Sequence, residues 1–317
     1  MSRISVPAVA NLPRALCALS LSVLLAACGG GSNNDSNQSS SSVSADAAKN
    51  ASANTATIPN DSATALSATI ETAEAVVAAG SASVSIACAG GGTAVYQVTG
   101  PDASLLLNHQ LDPGENYSLT FNNCQNASDS ATVNGSMTLL VASKTSDSIT
   151  VDTATNNVVV TLPHGTVTLN GSSTISRTIT TSGNTTTTTT HWVTPNFSVV
   201  SNRNGRTSSF SFTNVDITRT VVVTNGVVTS TSIDGTSTLS WVWPGGSFSI
   251  TFTTQGTVTC DGSGTPTQGV WTITFPHDRI VITVVPGTVM VQVDYGNDGT
   301  IDRVYTFTVT DLMGSAG

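Results

Sequence analysis

From Ser81 onward, large apolar residues and hydroxyl-bearing residues take turns along the chain. In Leu239-Ser240-Trp241-Val242-Trp243 the large residues fall on one face. Phe248-Ser249-Ile250-Thr251-Phe252, Trp271-Thr272-Ile273-Thr274-Phe275 and Tyr305-Thr306-Phe307-Thr308-Val309 repeat the pattern. Successive side chains of a strand point to opposite faces, so each run has one dry and one wet side. Such alternation specifies antiparallel sheet, and threonine suits its half-exposed surface.

The segments between these runs are short. Asn225-Gly226 and Asn204-Gly205 read as two-residue hairpin turns. Pro163-His164-Gly165, Ser182-Gly183-Asn184, Pro244-Gly245-Gly246 and Pro286-Gly287 are further turn signals. Turns this short lay successive strands side by side and leave no room for a βαβ crossover. The predicted fold is all-β: a large, mostly antiparallel meander, closed as a curled sheet, a barrel or a sandwich. Asn134-Gly135-Ser136-Met137-Thr138-Leu139, Asn170-Gly171-Ser172-Ser173-Thr174-Ile175 and Asp234-Gly235-Thr236-Ser237-Thr238-Leu239 share one form. Their spacings, 36 and 64 residues, are too irregular for a solenoid. They read as similar turn-plus-strand starts. A transmembrane barrel fits less well, because aromatics are 5% of the chain and form no paired girdles.

The N-terminus carries Arg3 and Arg14, then an apolar run from Ala15 to Leu25 too short to span a bilayer. The run ends in Leu25-Ala26-Ala27-Cys28-Gly29, which resembles the lipobox of bacterial lipoproteins. The resemblance implies cleavage before Cys28, acylation of that cysteine, and Cys17 leaving with the signal. Several acyl chains make a durable anchor, at about 0.8 kcal/mol per buried CH₂. Gly29, in place of Asp, implies the outer membrane by resemblance to lipoprotein sorting in enteric bacteria. Loss of residues 1–27 would take the net charge from −9 to −11. A basic nucleic-acid footprint is absent. Charged residues are 9% of the chain, against about 25% in ordinary globular proteins. A surface solvated by hydroxyls and amides suits an exported β protein.

The expected organisation is a signal at 1–27, then the lipidated cysteine and a Gly/Ser/Asn/Ala tether at 28–60. A short helix at 61–80 and a β domain at 81–317 follow. The tether has too little apolar surface to offset ordering entropy and would span roughly 30 Å. In the helix, Leu66, Ile70, Ala73 and Val77 share one face, with Asp61 or Ser62 as cap and Gly80 as stop.

In an oxidising compartment Cys88 and Cys124 are the expected disulfide, closing a loop of about 36 residues worth about 3–4 kcal/mol. Cys260 is then left over, as a buried free thiol or an intermolecular partner. CAGGGT at 88–93, SLTFNNC at 118–124, NGSMTL at 134–139 and VDYGNDGTID at 293–302 together resemble a pattern in secreted proteobacterial lipoproteins with no assigned activity. That resemblance speaks to fold and not to chemistry.

Asp294, Asp298 and Asp302 partly match a calcium loop, with ligand residues at positions 1, 5 and 9 and glycine at 6. Position 3 is Gly296 and position 12 is Tyr305, where ligands are wanted. A solvated hairpin turn explains the same residues, so no metal or other cofactor is expected. The Thr185–Thr190 run suggests a flat array for ice or polysaccharide, but reads better as an exposed strand face beside a turn. His109, His164, His191 and His277 have no second ligand at zinc spacing. Trp192, Trp241, Trp243 and Trp271 are expected in the core rather than in a sugar or lipid site. No nucleophile elbow, P-loop or H-E-x-x-H occurs. The expectation is a non-enzymatic outer-membrane lipoprotein whose partners are the membrane, through its anchor, and other envelope proteins. The alternative is a carrier or sensor with a small hydrophobic ligand inside a curled sheet. A hydrolase of envelope polymers comes third.

Overall fold

The computed structural model describes residues 85–101, 110–125, 131–162, 165–203, 206–243, 246–262, 266–275 and 277–309. The lipobox, the tether and the expected helix lie outside the described residues.

The described residues form one antiparallel sheet of 15 strands. The first five are β1 (Ser85–Ala87), β2 (Gly91–Thr99), β3 (Asn116–Gln125), β4 (Thr132–Lys144) and β5 (Ser148–Leu162). The longest follow: β6 (Gly165–Ser182), β7 (Thr185–Arg203), β8 (Arg206–Thr224) and β9 (Val227–Trp243). The rest are β10 (Gly246–Thr254), β11 (Val258–Asp261), β12 (Pro266–Thr274), β13 (Asp278–Val285), β14 (Thr288–Tyr295) and β15 (Arg303–Thr308). Each strand pairs with the next in sequence, without crossovers, as the short turns require. The one irregularity is β11, which continues β10 after a break and also lies between β9 and β12. Asn225 and Gly226, both at positive φ, close the β8–β9 hairpin as the sequence predicts.

One face holds the core. Leu119, Val133, Val158, Val160, Leu169, Val199 and Ile273 are all fully buried and belong to one cluster running from Ala94 to Val293. The other face carries paired hydroxyls, among them Thr236–Thr253, Thr238–Thr251 and Ser240–Ser249, each 3.0 Å apart. Pairing across strands thus aligns hydroxyls without a repeat in the sequence.

The three Asn/Asp-Gly repeats are not strand starts. They lie inside β4, β6 and β9, and each faces a β-bulge on a neighbour. In β3 the inward positions run Tyr117, Leu119, Phe121 and then Cys124; in β5 they run Val151, Thr153, Thr155 and then Val158. Each skip is an extra residue, and the register shifts there. β7 and β8 skip likewise, from Thr194 to Phe197 and from Phe212 to Val215. Asn123, Asn157 and Asn214 take positive φ at the bulges of β3, β5 and β8. Opposite them the partner strand comes too close for a side chain. A Cβ on Gly92 would sit 1.8 Å from the Asn123 carbonyl oxygen, and one on Gly135 2.2 Å from that of Asn157. One on Gly235 would sit 2.0 Å from the Asp216 carbonyl oxygen. The Asn before the glycine serves the bulge: Asn134 Oδ1 accepts from Asn123 N–H at 2.8 Å, and Asn170 Oδ1 from Asn157 N–H at 2.6 Å. A row of bulges at one level bends the strands together, which is how a wide sheet curls.

Cys88 and Cys124 form the expected disulfide, with Cα atoms 5.4 Å apart. Cys260 is buried in β11 and is disulfide-bonded. Of the two states the sequence left open for it, a buried free thiol or an intermolecular partner, that rules out the first.

Gly135→Ala should cost about 3 kcal/mol, because strain at positive φ adds to a backbone collision. Gly287→Ala, at φ +81 but with nothing within 4 Å, should cost about 1 kcal/mol. Urea denaturation of the two variants checks the ordering. Cys124→Ala should lower stability by about 3–4 kcal/mol, and Cys88→Ala should reproduce most of that loss.

Candidate functional site

Position 294 continues the outward phase of β14, which would leave a carboxylate in water. Instead Asp294 is fully buried. Register places it opposite Arg279 of β13, whose Nη2 lies 3.0 Å from Asp294 Oδ2. The chain then turns back through Gly296 and Asn297, both at positive φ, and folds over the carboxylate. Asp298 N–H donates to Oδ1 and Gly299 N–H to Oδ2, each at 3.1 Å.

The neighbouring acids are spent in the same way. Asp298 accepts from Thr300 N–H at 2.8 Å, and hydrogen bonds from Thr300 hold its carboxyl below the usual range. Asp302 accepts from Tyr295 N–H at 2.7 Å, and Asp278 from Gly296 N–H at 3.2 Å. The three acids singled out by sequence therefore share one loop but turn onto backbone amides. Arg279 supplies the opposite charge. Among the described residues no three His, Cys, Asp or Glu side chains converge as metal ligands.

His191 Nε2 lies 2.7 Å from Asp216 Oδ1 on the outer face, and both side chains are exposed. A pair so placed contributes little. His277 is exposed, while His109 and His164 lie outside the described residues. Trp271 is buried in the core. Trp192 packs edge-on against Phe197, with centroids 6.1 Å apart, and its Nε1 donates to Ser173 Oγ at 3.0 Å. Trp241 and Trp243 lie in β9, with side chains outside the described set. The Thr185–Thr190 run lies in β7, half-buried, with Thr185 and Thr189 facing Thr224 and Thr220 at 3.1 and 3.3 Å.

A buried acid also stands at the start of β3. Glu115 Oε2 accepts from Asp112 N–H at 2.7 Å and from the Tyr117 hydroxyl. Burial, then the Glu115 carboxylate, push the Tyr117 hydroxyl well above its ordinary value. Nearby, Lys144 Nζ donates to the Leu111 carbonyl at 2.6 Å.

Sequence reasoning missed one set of residues. Lys144, Ile149, Arg177, Thr190, Arg219, Ile233 and Val258 form one register row across neighbouring strands, from β4 to β9 and on to β11. Their phase is that of the core: Arg177 follows Ile175 by two residues, and Arg219 follows Ile217. The signal was present, as a cation at an apolar position of an alternating run. The acids of the same strands, Asp152, Asp216 and Asp234, sit in the opposite phase and are exposed. Compared with protein-family models, curated proteins and solved structures, the chain matches none.

Asp294→Ala should cost about 3 kcal/mol, since it leaves Arg279 without its counter-charge and two amides without an acceptor. Asp298→Ala, which loses only an exposed turn contact, should leave the melting point close to that of wild type. Thermal melting of both variants tests the difference.

Proposed function

We propose that this chain is a lipoprotein of the bacterial outer membrane, held by acyl chains on Cys28, with a non-enzymatic structural or interaction role. Leu25-Ala26-Ala27-Cys28-Gly29, after two cations and a short apolar run, carries the reading. Two further observations agree with export. Disulfides such as Cys88–Cys124 persist in oxidising compartments. The outer face of the sheet is solvated by paired hydroxyls rather than by dense charge. The acids of the 294–302 loop are committed to backbone amides and to Arg279, which suits a scaffold better than a catalyst. The tether at 28–60 would let the β domain stand clear of the lipid surface.

The test is expression in a Gram-negative host with labelled palmitate, followed by fractionation and intact mass. Label should be found on a chain that starts at Cys28 and sediments with outer membranes. Cys28→Ser should abolish the label and release the chain. A water-soluble wild type that keeps its leader would sink the proposal.

A further inference from the structure

The inward cations lie beyond the apolar level of Val151, Ile175, Trp192 and Ile217, toward the hairpin tips. Arg177 and Arg219 flank Thr190, one strand to either side. Strands in a sheet are about 4.8 Å apart, so the two backbones are about 10 Å apart and the side chains are long enough to meet above Thr190.

The Nε atom of Arg219 is buried and has no hydrogen-bond partner. Burial draws its guanidinium below the ordinary value, with no opposing cause. One position along the inner face, Thr231 is 2% exposed, and its hydroxyl also has no partner. Buried polar groups are normally satisfied, so two orphans side by side mark a place built for a group that accepts and is negatively charged. Past this row the inner face turns apolar again: Ile179 is 38% exposed, and Val221 and Val223 continue its level and the next.

We propose that this end of the inner face binds an anionic amphiphile. Its carboxylate or phosphate oxygens accept hydrogen bonds from Arg219 and Thr231, and its alkyl tail lies along Ile179, Val221 and Val223. Charge complementarity selects the occupant: Arg219 lies in the inward phase with its Nε unpartnered, while Asp152, Asp216 and Asp234 face out. Lys144 is already held by the Leu111 carbonyl and sets the end of the row. The site does not depend on the lipid anchor.

The full-length chain, residues 1–317, is the one to use. Calorimetric titration with dodecanoate, dodecyl phosphate, inorganic phosphate and dodecyltrimethylammonium separates the contributions of charge and tail. The two anionic surfactants should bind one to one below their micellar concentrations. Inorganic phosphate should bind at least tenfold more weakly than dodecyl phosphate, and the cationic surfactant should not bind. Arg219→Met and Thr231→Val should each weaken dodecanoate at least tenfold, with Arg303→Met, at an exposed position of β15, unchanged. Arg219→Met should melt no lower than wild type, because it removes an unpaired buried cation; a lower melting point would mark the arginine as structural and count against the site. Should that variant not fold, Thr231→Val carries the same comparison. Failure of both anionic surfactants to bind would overturn the proposal. So would equal binding of the cation, or phosphate matching dodecyl phosphate.

Discussion

The structure depends on how closely two backbones can approach along one line across the sheet. At that line β3, β5, β7 and β8 each carry one residue too many, and the surplus must bulge. A bulge pushes its carbonyl toward the neighbouring strand. Gly92, Gly135, Gly171 and Gly235 receive it, since a Cβ at any of them would lie 1.8 to 2.8 Å from the nearest backbone atom of the neighbour. Both halves of every bulged strand then keep their large side chains on the same side. Without the extra residue, one half of β5 would turn its valines to water. The dry face is therefore continuous only because the line of bulges is there.

This line also shows where the sequence was legible and where it misled. Alternation reveals strands wherever it is unbroken, and Asn225-Gly226 reveals a hairpin because both residues must take positive φ. Asn134-Gly135 and Asn170-Gly171 look chemically the same as that turn. What differs is invisible locally: these glycines continue the inward phase of their strands, and the extra residue is on the neighbour. The skips from Phe121 to Cys124 and from Thr155 to Val158 were readable as a change of phase. Only pairing shows that they sit opposite the glycines. The Cys88–Cys124 bridge was more accessible, because few partners compete and sequence distance is short.

Charge is sorted by the same geometry. A strand assigns every second residue to the core side whatever its chemistry, so a cation in phase with isoleucines is carried inward. Arg177 and Arg219 obey that phase, as Asp152, Asp216 and Asp234 obey the other. The sorting could be read from numbering alone. What could not be read is that Arg219 Nε and the Thr231 hydroxyl end without partners, because that depends on which strands become neighbours.

Asp294 shows the limit of motif reasoning from the other side. Its spacing to Asp298 and Asp302 is that of a cation loop, and the chain does wrap around it. Burying a lone carboxylate is costly, so something positive must accompany it. A metal ion and an arginine both answer that need, and spacing along the loop cannot choose between them. Across the strand pair, register sets Arg279 opposite Asp294, and its guanidinium brings a positive charge to 3.0 Å from the carboxylate. The charge that meets Asp294 thus comes from a residue 15 positions away in sequence, which a loop motif read in isolation does not show.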